Sequence, residues 1–149
     1  IVQEAPKSIV NLYNYWTHEF LPVQEGETVP PDALSRYFRC RYTNHEKKIT
    51  EVLFPTLLKA AAHFQVTRIN IVSAFRSEKY NLMLRKKGRS VGRNSHHTLG
   101  DAIDFKLPNV PTKTLYNWVL RQRLGGVGYY PISGFVHMDT GKRRTWRGR

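Results

Sequence analysis

The chain has 149 residues, 40% of them hydrophobic and 12% aromatic, with a formal net charge of +13. That length and apolar content suit one domain with a buried core and exclude a disordered chain. No run approaches the roughly 18 apolar residues of a membrane-spanning helix, and the single cysteine, Cys40, excludes an intrachain disulfide and any cysteine-cluster metal site.

A bound metal must therefore be held by histidine and carboxylate. Cys40, between Arg39 and Arg41, reads as a structural residue. The excess of positive charge favours a polyanionic partner, whether nucleic acid, anionic membrane or cell-wall polymer.

In chain order, Ile9 to Thr17 reads as a strand, and His18 to Val23 as its hairpin partner ending at Gln24-Glu25-Gly26. Pro30-Pro31-Asp32 opens a short helix running through Arg39. A second helix spans Pro55 to Phe64, with Leu57, Leu58, Ala61 and Ala62 as its apolar stripe. Arg68 to Ala74 reads as a strand with Ile69, Ile71 and Ser73 on one face. Ser77 caps a helix that runs to Lys87 and stops at Gly88.

Arg89 to Gly100 has turn chemistry throughout, and Asp101 to Leu107 is a strand halted by Pro108. Thr112 to Arg123 is an amphipathic helix with Leu115, Trp118 and Val119 facing inward. Val127 to Tyr130 and Gly134 to Asp139 are two further strands, and residues 142–149 form a basic tail. Strands and helices mix without regular βαβ alternation. The expectation is a single α+β domain over residues 1–149, with a central antiparallel sheet flanked by helices.

Three potential metal ligands stand out. His97 lies in the turn Asn94-Ser95-His96-His97-Thr98-Leu99-Gly100, and Asp104 follows in the strand Asp101-Ala102-Ile103-Asp104-Phe105. Gly100 lets the chain reverse tightly, so the imidazole can fold back over the carboxylate. Alternation puts Ile103 and Phe105 on the core face and Ala102 with Asp104 on the other, where a small neighbour leaves room. His137 sits in Phe135-Val136-His137-Met138-Asp139, sharing a face with Asp139. Two imidazoles and one carboxylate are a normal catalytic zinc set with one position left for water. The same residues are also compatible with capping and packing histidines and an aspartate paired with an arginine.

The string Ser95-x-His97-x-x-Gly100-x-Ala102-x-Asp104, followed by a strand bearing His137, resembles the signature of the LAS metallopeptidases. That group has the Hedgehog/D-Ala-D-Ala peptidase-like fold and includes lysostaphin-type enzymes, D-alanyl-D-alanine carboxypeptidases and the VanX dipeptidases. The chain is most similar to the MepK/YcbK-like murein endopeptidase subgroup. Ser73-Ala74-Phe75-Arg76-Ser77, Asn81, Met83-Leu84, Asn94-Ser95, Gly125-Gly126-Val127-Gly128-Tyr129-Tyr130 and Phe135 to Gly141 carry that likeness in order. The resemblance covers roughly residues 8–147.

The resemblance implies Zn2+ held by His97, Asp104 and His137, with Arg76 pointing into the cleft to hold a substrate carboxylate or stabilise an oxyanion. Many relatives place an acid three residues before the last ligand, and others a His two before it; here those positions are Gly134 and Phe135. Asp139 is therefore the candidate base, or else the residue that orients His137; His96 is a weaker alternative. Of Tyr129 and Tyr130, alternation sends one to the cleft and the other to the core. Trp16, Trp118 and Trp146 read as core or rim residues.

Arg85, Lys86, Lys87, Arg89 and Arg93 crowd the segment before His97, and Lys142, Arg143, Arg144, Arg147 and Arg149 crowd the tail. Beside the proposed site they suit an anionic wall polymer. Nucleic acid is not an expected partner, because no zinc-finger spacing, RNA-recognition motif or helix-turn-helix is present and the basic runs contain few aromatics. The resemblance implies a zinc-dependent murein endopeptidase acting on peptidoglycan peptide stems, with the L,D (3-3) link between two diaminopimelate residues favoured. A D,D-endopeptidase, a D,D-carboxypeptidase and a non-catalytic zinc- or wall-binding module are the alternatives. The expected location is periplasmic or secreted, with a signal peptide removed before Ile1.

Overall fold

The alternating runs become strands of one sheet in the computed structural model, which describes residues 8–88 and 95–149. Among the described residues the strands are β1 (Ile9–Asn14), β2 (Phe20–Gln24), β3 (Arg68–Ser73), β4 (Ala102–Lys106), β5 (Val127–Tyr130), β6 (Phe135–Asp139) and β7 (Thr145–Arg147). The helices are α1 (Pro31–Tyr37), α2 (Leu53–His63), α3 (Glu78–Lys86) and α4 (Thr112–Gln122). No helix among them is long and apolar enough to cross a membrane.

The strand order is β2-β1-β3-β4-β6-β5-β7. The four central strands pair antiparallel, as expected. Two pairs are parallel, β1 with β3 and β5 with β7. Both are crossovers that skip an intervening strand, which no local pattern announces. The α+β class holds, and the sheet is mixed.

Helix α2 starts at Leu53, two residues before Pro55, because a proline in the first turn forfeits only an amide that has no helical partner. Its buried stripe is Leu53, Phe54, Leu57, Ala60 and Ala61, and Ala62 is exposed. Helix α4 buries Leu115, Trp118 and Val119 as expected and packs on β5 and β6. Ser77 caps α3 by accepting the Tyr80 amide hydrogen bond.

One core joins these helices to the sheet face carrying Ile69, Ile71, Ile103, Phe105, Val136 and Met138. Full burial of such a side chain contributes roughly 1.5–3 kcal/mol, so this face anchors the sheet and leaves the opposite one for chemistry.

Strand β3 departs from simple alternation. Ile71 stands opposite Phe105, but Ser73 stands opposite Asp104, so one extra residue, Val72, is inserted. Ser73 therefore lies on the Asp104 face and not with Ile69 and Ile71. Bulges of this kind re-aim side chains beside functional sites. The Val72 carbonyl accepts the Trp16 indole hydrogen bond at 2.6 Å.

The basic segment 142–149 is likewise not a free extension, since β7 forms a sheet edge within it.

Candidate metal centre

A row of directly opposed residues crosses five strands: Ser73, Asp104, His137, Gly128 and Trp146. Opposed residues share a face, so this row is the floor of a cleft on the side of the sheet away from α2 and α4. The turn before β4 brings the third partner. His96–Leu99 form a single 3-10 turn capped by Ser95, whose hydroxyl accepts the His97 amide hydrogen bond. Gly100 ends it at φ 74°, and a Cβ there would lie 2.5 Å from the Lys48 carbonyl oxygen, so only glycine fits.

His97, Asp104 and His137 converge as buried residues, each offering a ligand atom within 4.8 Å of the others. His97 Nε2 is 3.2 Å from Asp104 Oδ2, and His137 Nδ1 is 2.8 Å from Asp104 Oδ1. The two rings meet edge to face at 5.1 Å.

The outer nitrogens define what the inner ones can do. His97 Nδ1 lies 2.7 Å from the Ala74 carbonyl, which can only accept, so Nδ1 carries the hydrogen. His97 Nε2 is then bare, buried, and without a hydrogen-bond partner among the described residues. His137 Nε2 lies 2.7 Å from Asp139 Oδ2 and donates to it, leaving Nδ1 aimed at Asp104. Without a metal a proton on His137 Nδ1 bridges to Asp104, whereas the bare His97 Nε2 facing the same carboxylate has none, and a cation bound between the three would take that proton's place. Outer acceptors that fix the tautomers of inner nitrogens are the usual support of a histidine metal site. The N, N, O donor set suits zinc.

Electrostatics agree with this arrangement. Burial opposes ionisation of Asp104, yet the facing His97 and His137 rings hold its carboxyl well below the usual range. Burial disfavours a charged His137, but its hydrogen bonds to Asp104 and Asp139 raise its pKa to about 9. His97 moves the other way, because burial outweighs the pull of Asp104.

Asp139 is completely buried. Its Oδ1 accepts hydrogen bonds from the Gly126 and Gly141 amides, each at 2.9 Å, and its Oδ2 accepts from His137. Burial raises its pKa, but these donors prevail and hold it well below the usual carboxylate value.

Arg76 is half-buried at the rim. Its backbone amide donates to the His97 carbonyl at 3.1 Å, tying it to the ligand turn. Its Nε has no hydrogen-bond partner, and no carboxylate pairs with it among the described residues. Its Nη2 donates a long hydrogen bond to Ser95 Oγ at 3.5 Å, so the guanidinium is tied to the ligand turn with its charge uncompensated at salt-bridge distance among the described residues. His96 instead pairs with Asp101 at 3.0 Å and packs against Gly141.

The two tyrosines divide as alternation requires. Tyr130 lies on the His137 face, where its hydroxyl accepts the Trp146 indole hydrogen bond at 2.8 Å. Tyr129 packs at a tilt against Tyr116 of α4. Trp118 is buried in the core. Trp146 is the functional neighbour that the sequence concealed: its ring is 4.9 Å from that of His137. It reaches there across Gly128, where a Cβ would come within 2.7 Å of the indole. Arg89, Arg93 and Asn94, which belonged to the basic segment and the ligand turn, lie outside the described residues.

A family model described as peptidoglycan L,D-endopeptidase MepK matches residues 6–146. A Haemophilus influenzae protein named "Probable peptidoglycan L,D-endopeptidase MepK" is 37% identical over 117 residues, covering 77% of this chain and 63% of the relative. "Peptidoglycan L,D-endopeptidase MepK" of Escherichia coli K12 is 37% identical over 114 residues, covering 76% of this chain and 63% of the relative. The Shigella flexneri protein of that name gives the same values. The chain thus spans less than two thirds of the length of these relatives. No solved structure gives a significant match.

Proposed function

Because the chain belongs to the family described as peptidoglycan L,D-endopeptidase MepK, we propose that it is a zinc-dependent peptidase that hydrolyses murein peptide cross-links. The favoured bond is the L,D (3-3) link between two diaminopimelate residues, and the relatives' names give the L,D class. The observation that carries the reading is the pair of inward imidazole nitrogens facing Asp104, with outer nitrogens already committed to Ala74 and Asp139.

His97 through Nε2, Asp104 through its carboxylate and His137 through Nδ1 would hold the ion. When bound, zinc supplies Lewis acidity toward a peptide carbonyl and acidifies water to near neutrality.

The chain's own residues do the rest. Arg76 presents a guanidinium fork with no carboxylate among the described residues at salt-bridge distance beside the ligand turn, suited to a substrate carboxylate or to negative charge developing on the carbonyl oxygen. Asp139 fixes the tautomer and ring angle of His137. We favour that orienting role over general base, because both of its oxygens are occupied and neither reaches solvent. Murein lies outside the cytoplasmic membrane, so the site of action is the periplasm or the cell exterior.

The test is digestion of sacculi containing both 4-3 and 3-3 cross-links, with products read by mass spectrometry. Chelated protein and the His97→Ala variant serve as controls. The expected result is metal-dependent loss of 3-3 dimers. Loss of 4-3 dimers alone identifies a D,D-endopeptidase, and loss of terminal D-Ala a D,D-carboxypeptidase. Intact muropeptides with zinc bound identify a non-catalytic wall-binding module.

A further inference from the structure

Arg41 has surroundings that its exposed position does not require. Its guanidinium carbon lies 3.3 Å from the centroid of the Trp16 ring and 5.0 Å from that of Tyr80. Its Nε donates to the Tyr80 hydroxyl. Trp16 is itself pinned by its indole hydrogen bond to the bulge carbonyl of Val72, and Tyr80 is backed by the stacked ring of Tyr42 at 5.5 Å. An exposed arginine ordinarily samples many rotamers. Here the guanidinium is held between the Trp16 ring and Tyr80, with Nε engaged on the Tyr80 hydroxyl.

This fork stands beside Arg76. Cys40 Sγ contacts Ser77 Oγ at 3.5 Å, and the Phe75 amide donates to the Phe38 carbonyl. Those contacts bind the segment preceding Arg41 to the segment carrying Arg76. Burial lowers the pKa of Arg76 and Asp104 opposes this, while Arg41 is near enough to add a smaller lowering of its own. Among the described residues neither has a carboxylate partner within salt-bridge distance. Asp104 offsets part of the charge on Arg76, but an anion reaching both forks would still be held by two cations at once.

We propose that Arg41, held between Trp16 and Tyr80, is a second carboxylate-binding site on the rim of the metal cleft, taking a substrate carboxylate that Arg76 does not hold. This inference rests on the murein-peptide reading. A link between two diaminopimelate residues suits it, since each residue keeps a carboxylate on its D-centre outside the hydrolysed amide. The planar fork, clamped in advance, loses little entropy on binding such a group.

The experiment compares soluble 3-3 cross-linked dimers having both D-centre carboxylates free with dimers in which one or the other is amidated, using zinc-loaded protein. For the wild type, amidation at one of the two positions should raise KM by about tenfold. Arg41→Gln should raise KM for the free dimer similarly and show no further rise on that amidation, the non-additivity of a broken pair. Arg41→Lys, which keeps charge but not the flat fork, should fall between them. A wild type indifferent to amidation at both positions overturns the proposal without recourse to any variant. So does an Arg41→Gln variant that loses equally on all dimers or loses zinc. A wild type that cleaves no dimer defeats the peptidase reading instead, and calorimetric binding of the same dimers then decides Arg41 by the same criterion.

Discussion

Asp104 and His137 stand directly opposite one another on antiparallel β4 and β6, with Oδ1 and Nδ1 2.8 Å apart. A cross-strand pair of this kind is held by the sheet itself, so two of the three ligands are positioned by backbone pairing. The third member, His97, depends on a turn that Gly100 alone can close.

His97→Ala and His137→Ala should each leave two ligands and abolish stoichiometric zinc retention. Metal content of purified protein measured by mass spectrometry checks this. Zinc at one equivalent in either variant would rule out the three-residue set.

Asp139→Asn separates orientation from proton transfer. As the acceptor for His137 Nε2, Asp139 should lower metal affinity by roughly 10–100-fold when replaced. Competition with a chromogenic chelator reads this directly. Unchanged zinc affinity together with a fall in kcat would restore the base.

The metal-free protein should lose stability as the medium turns alkaline. The pKa of His137 rises from 6.5 to about 9 on folding, so its contribution is fully present below 6.5 and is lost as pH climbs through 9. Asp104 and Asp139 are depressed, so theirs is present above the ordinary value of 3.8 and is lost as pH falls below it. His97 is lowered by burial, so its share falls away as the pH drops below 6.5, and thermal melting of chelated protein should therefore peak near pH 6.5. Zinc displaces the His137 proton and should remove the alkaline decline. A flat melting temperature from pH 6.5 to 9 without metal would contradict the assignment.

Gly128→Ala tests the row that carries Trp146. The added Cβ would meet three indole atoms at 2.7–2.8 Å, forcing the ring off His137. A loss of roughly 1–3 kcal/mol is expected from such overpacking, visible in chemical denaturation. An unchanged midpoint would show that β7 yields freely.

The sequence by itself determined what is local. Alternation assigned Asp104 and His137 to faces away from Ile103, Phe105, Val136 and Met138, because successive strand residues point to opposite sides whatever the partner strand. Ser77, Gly100 and the stripe of α4 were readable for the same reason: caps, tight turns and helical faces depend on residues within a few positions. Pairing register is not local, and the tertiary structure alone decided it. The bulge at Val72 turned Ser73 toward Asp104, and the parallel edge β7 brought Trp146 over Gly128 to His137. Burial of Asp139 beneath the Gly126 and Gly141 amides and the closing of Trp16 and Tyr80 around Arg41 followed in the same way. Each joins segments far apart in the chain, whose meeting is set by which strands hydrogen-bond and in what register.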